Sequence, residues 1–213
     1  MTADQEFIRR STLLTAPALI PDIRLYLATE ITPIWQATEA YLAETGIAPP
    51  YWAFAWPGSI ALSRHMLDHP ELVRGKRVID FAAGSGLAAI AAHRAGAAAV
   101  TAIEIDAMAG AAIALNAAAN HAAITIDIGD ATASIPAADL IVCGDICYEA
   151  PMTRHIWPWL RACARTTEVW IADPGRAYVP TAELTEFARY DIATTAELES
   201  RTSRETILYR IAA

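Results

Sequence analysis

Lysine is nearly missing from this chain of 213 residues: of sixteen basic residues only Lys76 is one, and the rest are arginine. The arginines never cluster beyond two or three, and the net charge is −8. A general nucleic-acid binder turns the opposite field toward phosphate, so a basic or small partner suits this surface better. Cysteine is scarce too. Cys143, Cys147 and Cys163 cannot all pair with one another, and their spacing fits neither a C-x-x-C motif nor a tetrahedral zinc set. No metal and a reducing, cytoplasmic setting are the expectations. No run of about 18 apolar residues goes uninterrupted, so a membrane span has no candidate. Arg9-Arg10 precedes Ser11–Ile20 in the manner of a twin-arginine export signal, but Asp4 and Glu6 stand ahead of it and no long apolar core follows.

What is present is apolar residues, 54% of the chain against 19% charged, which supports a sizeable core and excludes disorder. With no repeat or low-complexity linker, one domain over 1–213 is expected, a helical cap over 1–50 and a core over 51–213. In the cap, Ile34–Thr45 has a helical pattern and Ile23–Ala28 fits a short strand or a helix start. After the aromatic stretch Tyr51–Gly58, Ile60–Asp68 resumes a helix that ends at His69-Pro70. From Lys76 the pattern alternates: strands at Arg77–Phe81, Ala99–Ile105, Ile124–Ile128, Asp139–Cys143 and Glu168–Ala172, and helices at Leu87–Ala95, Ala107–Asn120 and Pro151–Ala164. Repeated βα units imply an α/β fold with a mostly parallel, Rossmann-like sheet. A helix near Thr181–Phe187 is expected next. Ala188–Leu198 and Thr206–Ile211 then follow with no helix between them, as a C-terminal antiparallel hairpin.

In such a sheet, ligands bind beyond the carboxyl ends of the strands. Those ends are polar here: Asp80 with Ala82-Ala83-Gly84-Ser85-Gly86, then Glu104-Ile105-Asp106, Gly129-Asp130, Gly144-Asp145 and Asp173-Pro174-Gly175. Gly84-Ser85-Gly86-Leu87-Ala88-Ala89 with Glu104 also fits the relaxed dinucleotide fingerprint, so the glycine loop alone is ambiguous. Asp80 favours S-adenosyl-L-methionine over NAD. It would repel a pyrophosphate, whereas it can accept a hydrogen bond from the ammonium of a methionine moiety. Glu104, with two acceptor oxygens, suits the two ribose hydroxyls.

On these residues the chain resembles the seven-strand protein-lysine methyltransferases of family 16, in particular the electron transfer flavoprotein β-subunit lysine methyltransferases and their bacterial relatives. The resemblance is carried by Pro50-Tyr51-Trp52-Ala53 with Trp56-Pro57-Gly58, Ala61–Arg64, Val73–Lys76, Glu104-Ile105-Asp106, Gly144–Tyr148 and Asp173-Pro174-Gly175-Arg176. It spans residues 50–176. The loop Ala82–Gly86 departs from the relatives' Gly-Ser-Gly-Cys-Gly but keeps Gly84 and Gly86.

The resemblance implies a seven-strand methyltransferase fold with Trp56, Asp80, Ala82, Gly84, Gly86, Glu104, Ile105 and Asp130 at the cofactor, and Asp145 and Tyr148 at the reaction. It implies an acceptor lysine on a protein, the flavoprotein β subunit, with other cytosolic proteins as alternatives. The acidic charge and the lack of a span predict no nucleic acid or membrane partner, and with no exposed heptad or obvious edge strand a monomer is expected. At pH 7 only about 0.04% of free lysine is neutral, a deprotonation cost of roughly 4.6 kcal/mol, which a site can lower by partial desolvation and the cofactor's nearby cation, while a carboxylate holds the ammonium and helps remove its proton. Asp145 fits that task. A Gly-Asp-Ile-Cys-Tyr loop, where amide and nucleobase methyltransferases commonly carry Asn/Asp-Pro-Pro-Tyr, also disfavours nucleic acid. Methylation of a small amine and a non-catalytic cofactor-binding module are the alternatives. Asp173 and Arg176 have no assigned role, and all five histidines are expected at the surface or at helix ends.

Overall fold

The computed structural model describes residues 1–29, 49–194 and 202–212; the helix expected over Ile34–Thr45 lies outside them. The chain opens with α1 (Ala3–Ser11), started by a reciprocal cap in which Thr2 and Gln5 each bond the other's backbone N–H. Strands β1 (Leu13–Thr15) and β2 (Leu25–Leu27) then pair antiparallel. The cap is thus not purely helical, as expected, but carries a small sheet. A single 3-10 turn at Tyr51–Ala53 leads into α2 (Pro57–Asp68), whose first helical position is proline, where the missing N–H costs nothing.

The core alternates β3 (Arg77–Phe81), α3 (Leu87–Arg94), β4 (Ala99–Glu104), α4 (Ala107–Ala119), β5 (Thr125–Ile128), β6 (Leu140–Gly144), α5 (Ala150–Cys163) and β7 (Glu168–Asp173). Strands β8 (Leu184–Ala193) and β9 (Ser203–Ile211) complete a seven-stranded sheet of order β5-β4-β3-β6-β7-β9-β8. The five strands from β5 to β7 are parallel, and β9 runs antiparallel to both β7 and β8. Order reverses between β3 and β6, which is where such sheets open a crevice for ligand.

The period of two divides the core. Val78, Leu140, Val142, Trp170 and Ala172 face α2 and α3, while Ile79, Phe81, Ile141, Cys143 and Ile171 face α5. Both faces are covered, so these strands read as continuous apolar runs. Among the described residues no helix is long and apolar enough to cross a membrane.

One expectation needs correction. Thr181–Phe187 is not a helix: only Thr181–Glu183 makes a 3-10 turn, and β8 begins at Leu184. A register shift between Glu186 and Ala188 bulges β8 and breaks its alternation, which produced the helical spacing. His65 lies in the last turn of α2, the helix-end alternative, and is buried there. Its Nδ1 lies 2.9 Å from the Tyr190 hydroxyl, and its ring packs edge-on against Trp170 and Phe187. Burial, with smaller contributions from His69 and Arg210, lowers its pKa to about 4, so it stays neutral. Trp157 and Trp159 are likewise buried, each indole N–H donating within the chain, to Glu183 and to Ser134 O.

The N-terminal segment is fastened to α4 by two asparagines. Asn116 accepts from Tyr26 N at 2.8 Å and donates to Ser85 O at 2.8 Å, bridging β2 to the loop after β3. Asn120, one turn on, brackets Arg24 N and O. Replacing Asn116 by Ala strands a fully buried carbonyl and an amide, and is expected to cost about 2–3 kcal/mol in urea denaturation. An unchanged midpoint would show that the bridge does not hold the segment.

Candidate functional site

A cavity of about 470 Å³ opens at the carboxyl ends of β3 to β6, well inside the range of about 300–1,000 Å³ usual for small-molecule sites. One end is built on α2. Trp56 is its N-cap, and the Gly58 amide donates to Asp145 Oδ2 at 2.5 Å. Glycine is required there: a Cβ at 58 would meet Asp145 Oδ2 at 2.5 Å and Ala172 O at 2.6 Å. Asp145 is the first residue past β6. It adopts φ +56, unusual without glycine, and its N–H donates to Ala172 O at 3.0 Å. Arg176 Nη2 donates to Asp145 Oδ1 at 3.0 Å. Burial pushes the Asp145 carboxyl up to about 7, and Asp173 pushes it the same way, against Arg176 and the Gly58 amide.

Aromatic rings wall this end. Tyr148 packs 5.2 Å from Tyr51, Tyr51 6.0 Å from Trp56, and the Trp56 indole N–H donates to Tyr51 O at 2.9 Å. The Arg176 guanidinium carbon sits 5.9 Å from the centroid of Trp56. Burial raises the Tyr148 hydroxyl well above its ordinary value, so it keeps its proton through neutral pH.

The other end is the turn after β3. Ala82 and Gly84 both adopt φ +54 and Gly86 φ +76. The Gly84 amide donates to Glu104 Oε1 at 2.8 Å and Ile105 N to Glu104 Oε2 at 3.0 Å, which fixes that carboxylate in the cavity wall. Burial raises the Glu104 carboxyl and these amides oppose it. Asp130, after β5, accepts from Thr132 N at 2.9 Å, and its Oδ2 lies 2.8 Å from His155 Nε2. Hydrogen bonds from Thr132, then His155, hold Asp130 at about 2.

Trp56, Ala82, Gly84, Glu104, Ile105, Asp130, Asp145 and Tyr148 therefore all border one cavity. Gly86 instead starts α3 against Ile113. Asp80 does not line the cavity either. The alternation of β3 turns it to the face covered by α3, where it is buried and its Oδ2 accepts from Ala89 N at 2.8 Å. Sequence reasoning missed His155 as a wall residue; Arg176, expected on the same rim without a role, and Tyr51, in the aromatic stretch, also line the cavity. The aromatic run at 51–56 and the Asp-Pro-Gly-Arg turn were the available signals. Among the described residues no group of three or more His, Cys, Asp or Glu side chains could hold a metal ion.

Residues 61–149 match the family described as ribosomal protein L11 methyltransferase (PrmA). The electron transfer flavoprotein β-subunit lysine methyltransferase of Xenopus laevis is 38% identical over 185 residues, covering 83% of this chain and 72% of that protein. The chain belongs to the electron transfer flavoprotein β-subunit lysine methyltransferase family. The human member is 37% identical over 175 residues, covering 80% of this chain and 66% of its own length. In fold, the chain is similar to the 16S rRNA N2 G1207 methyltransferase of Thermus thermophilus, solved with S-adenosylmethionine and guanosine. The TM-score is 0.54 at 18% identity, over 75% of this chain and 44% of that one. Membership makes this chain an S-adenosylmethionine-dependent methyltransferase. The cavity fits that cofactor in two respects. A Cβ at Gly84 would point into open space, with Tyr51 O the nearest atom at 4.0 Å, and Glu104 offers a fixed carboxylate beside it.

Two outcomes follow for this family member. Substitution of Gly58 by Ala must push α2 off the end of β6, costing about 1–3 kcal/mol in thermal melts and most of the methyl transfer; retained activity and Tm would show that the close approach is dispensable. Burial, countered by the Ala89 amide, raises Asp80 to about 7 from an unfolded value near 3.8. The native state therefore holds a proton that the unfolded chain has released between those limits. Stability contributed by this group falls as pH rises from about 4 to about 7, on the order of 2–4 kcal/mol. Urea denaturation at pH 5 and pH 8 checks it: D80N should shrink the wild-type difference, and an identical difference in both proteins would contradict the assignment.

Proposed function

We propose that this chain transfers a methyl group from S-adenosylmethionine to a lysine side chain of a protein, with the electron transfer flavoprotein β subunit as acceptor. The carrying observation is Asp145: a buried carboxylate at the cavity floor, fixed by the Gly58 amide at 2.5 Å, with Tyr148 in the adjoining wall. Glu104, Ala82, Gly84, Ile105 and Asp130 form the cofactor's end of the cavity and Trp56 its border, while Gly86 and Asp80 shape the turn from behind. The bound cofactor supplies an electrophilic methyl group, which only a neutral amine can accept.

Asp145 then has two tasks. Ionised, it draws the acceptor ammonium out of water and points it into the cavity. Its raised pKa also makes it a better proton acceptor than an ordinary aspartate, so Oδ1 can take the proton that the ammonium gives up. Tyr148, protonated at neutral pH, directs the amine through its hydroxyl or packs along the lysine stem. The reading is of a monomer with one domain over 1–213, acting in the cytoplasm on a protein and not on nucleic acid or at a membrane. The net charge of −8 favours encounter with a basic acceptor surface.

The enzyme's own lysine is a poor acceptor. Lys76 precedes β3 at the opposite end of the sheet and pairs with Glu168 at 3.1 Å, so self-labelling should be negligible. With labelled S-adenosylmethionine and purified electron transfer flavoprotein, label should enter the β subunit as methyllysine. D145N should lose at least about a hundred-fold in rate while still binding cofactor. Label on small amines only would replace the protein acceptor, and full activity in D145N would remove Asp145 from the reaction.

A further inference from the structure

We propose that Arg176 is the resident counter-ion of Asp145, holding the carboxylate for the acceptor lysine and giving up that place when the ammonium enters. The inference rests on the reading above that Asp145 receives the acceptor. Asp145 has two partners of different character. On Oδ2 sits the amide of Gly58, which cannot leave unless α2 moves. On Oδ1 sits a guanidinium at the tip of a long side chain, 21% exposed against 8% for Asp145 itself. An entering ammonium can therefore claim Oδ1 by displacing a side chain, whereas Oδ2 would require moving a helix.

The loop is built for that exchange. Asp173 Oδ1 accepts from both Gly175 N at 2.7 Å and Arg176 N at 2.6 Å, and Gly175 adopts φ +84, so the backbone under Arg176 is clamped. The guanidinium already lies within reach of the Trp56 face, which offers a cation a second resting place. Two full cations at contact distance on one buried carboxylate repel each other, so the ammonium and the guanidinium compete for it.

Few other charges face Asp145. Asp173 at the end of β7 pushes its carboxyl up, and α2 presents an amide and no charged side chain in its first turn. Its own loop carries Cys147, whose thiol burial pushes up to about 12, Tyr148, which is also neutral at physiological pH, and Glu149, the N-cap of α5, whose charge acts on Tyr148 and Tyr51. Among the described residues Arg176 is thus the one cation acting on Asp145, and removing it should raise the carboxyl further.

The test compares wild type, R176Q and R176K with purified electron transfer flavoprotein as acceptor at pH 6.5 and pH 9, after equal cofactor affinity has shown all three to be folded. In R176Q, kcat/KM relative to wild type should be lowest at pH 6.5, about ten-fold down, and within about three-fold at pH 9, where the acceptor KM should fall below that of wild type. R176K should restore the wild-type profile. Equal depression at both pH values, or no effect, would overturn the proposal. A second measurement needs no acceptor: in protein labelled with carboxyl-13C aspartate, the Asp145 midpoint should rise by about one unit or more in R176Q. An unmoved midpoint overturns the counter-ion role even if the flavoprotein accepts no label. A moved midpoint with no label would instead uphold the pairing and reject the acceptor.

Discussion

The Asp145 end of the cavity depends on how closely the N-terminus of α2 approaches the end of β6. Two glycines allow it from opposite sides. A Cβ at Gly58 would strike the Asp145 carboxylate and backbone, and a Cβ at Gly144 would meet Ser59 N at 2.7 Å. With neither present, backbone packs on backbone. Pro57 enters the first turn without an orphan N–H, Trp56 is left as the cap at the cavity wall, and Asp145 is turned into its left-handed conformation with its amide tied to β7. The Trp-Pro-Gly and Gly-Asp elements, 86 residues apart in the chain, are two halves of one contact.

The contact also answers an electrostatic problem. A carboxylate as buried as Asp145 would surrender its charge, and Asp173 nearby makes ionisation harder still. Opposing this are the partial positive charge of a helix N-terminus, delivered through the Gly58 amide, and the full charge of Arg176. The balance leaves the group titrating at about 7, in the range where the proton transfer of the proposed function is most effective. Moving α2 outward by even a methyl group would alter wall, backbone and charge together.

The parallel half of the fold was legible because its strands, covered on both faces, are short apolar runs ended by polar residues. Arg77–Phe81 has the same limits in sequence and structure. The antiparallel half was not, because one bulge in β8 sets Phe187 and Ala188 out of alternation and imitates a helical period. Pairings between distant residues were equally invisible. Nothing local to Asn116 announces that it joins β2 to the β3 loop, nor anything near His65 that Tyr190 lies opposite it. At the site, residue types were readable and directions were not: Asp80 and Glu104 are both strand-end acids, yet one is turned under α3 and the other into the cavity.

That difference bears on how strand-end carboxylates should be interpreted. Each of the five here accepts backbone N–H groups from the turns or helix starts around it: Asp80 from Ala89, Glu104 from Gly84 and Ile105, Asp130 from Thr132, Asp145 from Gly58, and Asp173 from Gly175 and Arg176. Holding a turn and meeting a ligand are therefore not competing explanations. An ionised carboxylate has about four lone-pair sites, and one or two backbone amides leave capacity unused. The amides fix the orientation, so a ligand meeting the remaining sites finds them already positioned and need not order a side chain. Which acids reach the cavity is decided for Asp80 and Glu104 by strand alternation, and for Asp130 and Asp145, which lie past the ends of β5 and β6, by the turns that carry them. Asp80 falls under a helix, Asp173 clamps the loop that carries Arg176, and Glu104, Asp130 and Asp145 are left to define the two ends of the cavity.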